Sequence, residues 1–176
     1  MKVLETELKG AYVIELDRRE DERGLFSRTF CKNVFEEHGL RSEVAQCNLS
    51  YNARRGTLRG MHYQAEPFAE AKLVQCVRGS FYDVIIDLRG DSETYSQWIG
   101  VELSAAKGCM LYVPEGFAHG FQTLEDHTAV YYHMFQFFAP HFARGVRWND
   151  PAFGIKWPLE NPIMSEKDRQ LPDYER

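Results

Sequence analysis

From Glu43 onward the chain reads as one short strand after another, each closed by a break, and this rhythm constrains the fold more than any other feature. Runs at 44–50, 58–64, 71–78, 80–88, 95–103, 109–113, 120–124, 129–138 and 145–147 are β-favouring in composition or alternate in polarity. Turn formers separate them at 52–56, 65–70, 78–79, 89–93, 104–108, 114–117 and 125–128. Helical periodicity is almost absent here, and many short strands at regular spacing predict an antiparallel sandwich or barrel. Ahead of this stretch, 11–17 and 25–30 read as further strands around a charged turn at 18–24. There, too, 33–39 (NVFEEHG) reads as a short helix stopped by its Gly. Behind it, Pro151, Pro158 and Pro162 keep the tail irregular until 165–170, a short helix with Ser165 as its N-cap.

No linker, repeat or low-complexity segment interrupts residues 1–176, so a single domain is expected. A chain of this length buries a sizeable core without disulfides or metal staples. Hydrophobic content of 44% with 27% charged residues argues against disorder. The net charge of -5 gives no support for binding nucleic acid or an anionic membrane, and no apolar run approaches the length of a membrane span. The four cysteines lie far apart with no CxxC pair, which reads as reduced, buried side chains in a cytoplasmic protein. The opening MKVLETELKG lacks the apolar stretch of a signal peptide.

The densest unusual chemistry is GTLRGMHYQ, residues 56–64. Along a strand His62 and Gln64 share one face, while Met61 and Tyr63 take the other. Arg59 is out of phase with His62 unless Gly60 marks a bulge that re-aims it. Lys72 opens an apolar strand, His119 follows a Pro-x-Gly turn in VPEGFAHGF, and Tyr132 lies in the aromatic run VYY. Each has an ordinary reading: a hydrogen-bonded structural His, a solvated edge Lys, a packing Tyr. Together they are an Arg, two His, a Lys and a Tyr on consecutive strands of one small barrel. Burying that many polar groups in isolation is costly, so they are expected to converge on one site.

Metal-binding barrels of the cupin type use a His-x-His pair, a carboxylate and a later His, and Pro114 to His119 looks like their second motif. The first motif, however, reads His62-Tyr63-Gln64, and Gln is a poor transition-metal donor beside His. No metal and no other cofactor are expected.

The segments QCNLS, GTLRGMHYQ, AKLVQCVRG, VIIDLR, VPEGFAHGF, RWNDPAFGIKWP and SEKD occur in that order. Together they resemble the dTDP-4-dehydrorhamnose 3,5-epimerase family of cupin-fold sugar epimerases, from about Asp21 to Asp168. The resemblance implies an all-β, cupin-type antiparallel barrel (a jelly roll) with a few short helices. It implies an enzyme without cofactor that acts on a nucleoside-diphosphate 4-keto-6-deoxyhexose, in the synthesis of a deoxysugar for surface polysaccharide or a glycosylated product. His62 matches the general base that takes a proton beside the ketone, and Asp168 its orienting carboxylate. Lys72 matches the cation beside the enolate oxygen, and Tyr132 the acid on the opposite face. His119 matches a second pocket His, and Arg23 and Arg59 match diphosphate contacts. Phe26, Arg28, Gln46, Asn48 and Phe138 fall on substrate-contact positions. The resemblance also implies a homodimer in which an N-terminal strand segment crosses to the neighbouring subunit.

Three departures bear on specificity. Arg28 stands where many members carry a Glu that helps hold the thymine base. A Glu accepts from thymine N3–H, whereas Arg only donates and cytosine offers acceptors, so a CDP-linked sugar is an alternative substrate. Phe137-Phe138 replaces a pair that usually carries Tyr, and His133 replaces the Lys that commonly follows the active-site Tyr. None of these touches His62, Lys72, Tyr132 or Asp168. A single-centre epimerase is therefore the nearest alternative, and a non-catalytic sugar-nucleotide-binding cupin the alternative from another class.

Overall fold

A computed structural model describes residues 1–175 and resolves the alternation into strands with two short helices. In chain order the strands begin with β1 (Lys2–Glu5), β2 (Tyr12–Glu15), β3 (Arg19–Asp21) and β4 (Gly24–Phe26), followed by helix α1 (Lys32–Glu37). Next come β5 (Gln46–Asn52), β6 (Leu58–Gln64), β7 (Lys72–Arg78), β8 (Ser80–Asp87) and β9 (Trp98–Ser104). The series closes with β10 (Cys109–Val113), β11 (Phe117–Thr123), β12 (Thr128–Met134), β13 (Ala143–Gly145) and helix α2 (Glu166–Arg169). One sheet runs β1-β2-β10-β7-β12-β5 and a second runs β13-β6-β11-β8-β9, with β3 and β4 pairing as a separate hairpin. Every strand pairing is antiparallel, as a cupin-type jelly roll requires. Among the described residues no helix is long and apolar enough to cross a membrane.

The period of two in the sequence becomes two faces. Strand β8 sends Phe81 and Ile85 into the space between the sheets and Tyr82, Val84 and Ile86 to the outside. Between the sheets Val74, Phe81, Ile85, Leu111, Phe117 and Phe121 form the core, with the Phe81 and Phe121 rings 5.2 Å apart. Each such fully buried side chain contributes about 1.5–3 kcal/mol. Helix α1 lays Phe35 over Leu73 and Met110 on the outer face of the first sheet. The C-terminal tail lays Phe153 and Ile155 over Met61, Val84 and Ile86 on the outer face of the second. Elsewhere between the sheets, inward positions of β5, β6, β7, β11 and β12 are polar, and a cavity opens there.

Several boundaries differ from the sequence reading. The expected strand 129–138 stops at Met134, because the backbone of 137–139 bonds to glutamine side chains instead of a neighbouring strand. The strand expected at 95–103 starts only at Trp98, since Tyr95 and Ser96 close a turn in which Ser96 has φ +63°. The strand expected at 120–124 starts earlier, at Phe117, directly after Gly116 at φ +79°. The charged turn at 18–24 contains strand β3, and β1 was not legible at all in the charged opening residues. The two helices fall where expected: Gly39 at φ +68° follows α1, and Ser165 Oγ caps α2 by accepting from the Asp168 N–H at 3.1 Å.

Candidate active site

Strand β5 contributes Gln46, Asn48 and Ser50, spaced by two and therefore on one face. Strand β12 faces it with Tyr132 opposite Asn48, and β7 contributes Lys72 opposite Met134. From the other sheet, His62 of β6 lies directly opposite His119 of β11. Between those strands the register slips: His119 pairs with His62 but Phe121 pairs with Arg59, so β6 carries one extra residue. The bulge at Gly60, φ +131°, puts Arg59 back in phase with His62, and both line the same cavity. A side chain at residue 60 is excluded, because its Cβ would lie 2.5 Å from Gly120 Cα.

The cavity, about 420 Å³, is lined by Asn48, Arg59, His62, Lys72, His119, Tyr132 and Asp168. It continues into an adjoining space of about 700 Å³ through the shared residues Asn48, His62, Lys72, Met134 and Lys167. Gln46 and Phe138 line that second part. Volumes of this size suit a ligand as large as a nucleotide sugar. Most of the expected site residues thus meet in one place. Arg23, Phe26 and Arg28 do not: Arg23 and Phe26 lie on the β3–β4 hairpin, Arg28 just beyond it, and all three are exposed outside this chain's own cavity. Arg23 pairs there with Asp21 at 2.6 Å.

Three carboxylates, each beside a cation or imidazole, organise the cavity. His62 Nε2 lies 2.8 Å from Asp168 Oδ1, with the imidazole half-exposed and the carboxylate buried. Burial pushes the Asp168 carboxyl up, but His62, the Gly60 N–H and Ser165 outweigh it and leave it below the usual carboxylate range. Lys72 Nζ pairs with Glu70 Oε1 at 2.8 Å, both side chains 8% exposed. His119 Nε2 lies 2.6 Å from Asp83 Oδ1 in full burial, and burial holds the Asp83 carboxyl above its ordinary range. Burial, with the Asp83 charge nearby, pushes the Tyr132 hydroxyl well above the usual tyrosine range, against a hydrogen bond with Ser50. Tyr132 therefore keeps its proton where an ordinary tyrosine begins to lose one. Arg59 Nε donates to Asn52 Oδ1 at 2.8 Å, a neutral partner that leaves the guanidinium charge open to an anion.

Sequence reading missed Glu70, Asp83, Ser50 and Lys167. A signal existed for three of them. Glu70 precedes Lys72 by two residues, Asp83 interrupts the apolar run of β8, and Ser50 continues the period of Gln46 and Asn48. Lys72 is not the solvated edge charge of its ordinary reading: it shares the inward face of β7 with Val74 and Cys76, while Leu73 takes the other face. Among the described residues no group of three or more His, Cys, Asp and Glu side chains comes together that could hold a metal ion.

Comparison with known proteins places these features in context. A family model described as dTDP-4-dehydrorhamnose 3,5-epimerase matches residues 5–176. The chain is 43% identical over 169 residues to a dTDP-4-dehydrorhamnose 3,5-epimerase of Shigella flexneri, covering 96% of this chain and 93% of the relative. Its fold superposes with a TM-score of 0.96 on the crystal structure of the Bacillus anthracis dTDP-4-dehydrorhamnose 3,5-epimerase with TDP and pyrophosphate bound. That pair is 45% identical, over 98% of this chain and 99% of the other. A 3'-monoepimerase from Streptomyces bikiniensis, in complex with dTDP-quinovose, is similar at TM-score 0.91 and 31% identity, over 97% and 86% of the two chains.

Proposed function

The chain belongs to the dTDP-4-dehydrorhamnose 3,5-epimerase family, and from that premise we propose that it inverts both carbons flanking the ketone of dTDP-4-dehydro-6-deoxyglucose. The observation that carries the reading is the His62–Asp168 pair across one cavity from Tyr132. Binding alone requires no proton-transfer pair, so a non-catalytic role leaves this arrangement without a purpose.

The ketone acidifies the hydrogens on its neighbouring carbons. His62 takes one of these protons while Asp168 fixes the tautomer and stabilises the imidazolium. The electron pair moves into an enolate, whose oxygen lies beside the Lys72 ammonium, where fixed positive charge lowers the barrier most. Tyr132 then returns a proton to the carbon from the opposite face, which inverts the centre; solvent takes the proton from the His62 imidazolium and restores the phenol. Repetition at the second carbon completes the reaction. Arg59, with its open charge, holds the diphosphate.

The enzyme is further proposed to be a homodimer. The β3–β4 hairpin carries Arg23 and Phe26 away from its own cavity, and the outer face of β5 and β7 exposes Leu49, Tyr51 and Val77. A second copy covering that face brings the partner's hairpin to the mouth of the cavity. The four free cysteines fit a reducing cytoplasm.

A second reading, inversion at one carbon only, draws on the similarity to the Streptomyces 3'-monoepimerase. Incubation with dTDP-4-keto-6-deoxyglucose in deuterated water, followed by NMR, separates the two. Double inversion puts deuterium on both carbons flanking the ketone with the stereochemistry of both inverted; label and inversion at one carbon establishes the second reading. A folded protein that exchanges neither hydrogen is not an epimerase of this type. Calorimetry with TDP and CDP tests the base: clear preference for CDP contradicts the thymidine assignment and returns Arg28 to attention.

A further inference from the structure

Gln64 shares the inward face of β6 with His62, at the position where a metal-binding barrel places the second histidine of its pair. Its amide turns elsewhere. Nε2 donates to the carbonyl oxygens of Phe68 at 2.9 Å and Phe137 at 3.2 Å, and Oε1 accepts from the Ala139 N–H at 2.6 Å. Between those contacts the Phe138 N–H donates to Gln46 Oε1 at 3.1 Å. Two glutamines, one from each sheet, therefore hold successive peptide groups of 137–139.

This segment has left the β12 ladder, and its rings are 65% exposed at Phe137 and 60% at Phe138. Its other ties lie at its ends: the Phe137 N–H donates to the neighbouring Gln136 Oε1, and the Ala139 carbonyl accepts from the Phe142 and Ala143 N–H groups. Ring burial does not set where Phe138 stands, yet Phe138 lines the space that continues into the cavity of His62 and Lys72. Gln64 is 3% exposed, and its amide is matched on both ends. An amide supplies two donors and an acceptor on one planar group; Glu keeps the acceptor and loses the donors, and Met loses both.

We propose that Gln64 is a positioning residue for nucleotide recognition, holding the 137–139 backbone so that the Phe138 ring presents its face to the planar base of the bound nucleoside diphosphate. The inference rests on the reading of this cavity as a nucleotide-sugar site. Gln64 touches no reacting atom in it, so its influence belongs in binding and not in the proton transfers. Releasing the clamp lets the segment sample positions without the ring in place, and affinity falls by the fraction of time it is misplaced.

The test compares Gln64→Glu and Gln64→Met, each also in a Phe138→Ala background, by TDP calorimetry and by steady-state epimerisation. Amide hydrogen exchange at Phe138 and Ala139 reads the segment itself. Both Gln64 variants are expected to accelerate that exchange and to raise the TDP Kd and the substrate KM about tenfold, with kcat within about twofold. In the Phe138→Ala background the same substitutions should change Kd less than about twofold, since the residue acts through a ring already removed. Equal losses in both backgrounds, or a fall in kcat at unchanged KM, overturns the proposal. So does unchanged amide exchange in the Glu variant, whose near-identical shape guards against a general failure to fold. Unsubstituted protein that binds TDP and epimerises while the Gln64 variants behave like it overturns the clamp alone. Unsubstituted protein that does neither overturns the nucleotide-sugar reading as well.

Discussion

At His62 the half-exposed imidazole meets a buried carboxylate, and the two residues are 106 positions apart in the chain. The carboxylate does more than attract: it accepts from His62 Nε2, leaving the other ring nitrogen for the proposed proton transfer. His62→Ala should therefore lower exchange of the ketone-flanking hydrogens by about 10²–10⁴-fold while TDP binding, measured by calorimetry, changes little. Asp168→Asn should lower exchange about 10²-fold or more, because the amide no longer orients the ring or balances the imidazolium. Normal exchange in the His62 variant would mean that another group is the base. Asp168 also links folding to pH. Its carboxyl is held below the ordinary range, so it contributes stability that is complete above the unfolded carboxylate pKa and is lost as pH falls through the folded one. At this scale the sequence was informative about type and phase. His62, Lys72 and Tyr132 could be placed on strand faces by counting twos. Asp168 was legible as the partner of His62 only through the family resemblance, and Asp83 was missed, because Asp83 meets His119 and Asp168 meets His62 only after segments distant in the chain come together.

At the scale of elements, one glycine decides whether the cavity is assembled. With regular alternation Arg59 and His62 point to opposite faces of β6; the extra residue at Gly60 brings them to the same side. No side chain fits there, since φ is +131° and a Cβ would sit 2.5 Å from Gly120 Cα and 3.0 Å from His119 O. Gly60→Ala must therefore push β6 from β11 or lose the bulge. The expected destabilisation is about 2–4 kcal/mol, from the unfavourable backbone angle together with overpacking. The clash falls on the backbone of Gly120, next to His119, so urea unfolding and the exchange assay should both register it; loss of stability with full activity would show that the bulge does not set the site. GTLRGMHYQ signalled the bulge through its glycine, because only a break in period reconciles Arg59 with His62. Strand ends were less legible. Phe135, Phe137 and Phe138 have strand propensity, but propensity does not reveal that glutamine side chains will take the hydrogen bonds of the 137–139 backbone.

For the whole molecule the unresolved contradiction is that Arg23 and Phe26, which the family resemblance assigns to substrate, lie on an exposed hairpin away from the cavity of their own chain. Arg23 there holds only Asp21, at the surface, a pair worth little against a diphosphate. A homodimer resolves this if each hairpin serves the partner's cavity, and the arrangement makes a prediction that a monomeric site does not. In His62→Ala the base is missing and the hairpin intact; in Arg23→Ala the base is intact and the hairpin deficient. Each variant alone should be impaired, the first nearly inactive and the second with a raised KM. After the two are mixed, dissociated and reassociated, a heterodimer contains one cavity with both defects and one with neither. With random exchange, half the dimers are mixed and half of their cavities are intact, so activity should rise to about a quarter of the unsubstituted level. Light scattering establishes the dimer, and assay of the mixture at low substrate, where the Arg23 defect is most visible, measures the recovery. Activity equal to the average of the two variants would place Arg23 in its own chain's site or outside any site. Recovery toward a quarter would explain why one chain alone brings His62, Lys72, Tyr132 and Asp168 together yet leaves the contacts for the nucleotide incomplete.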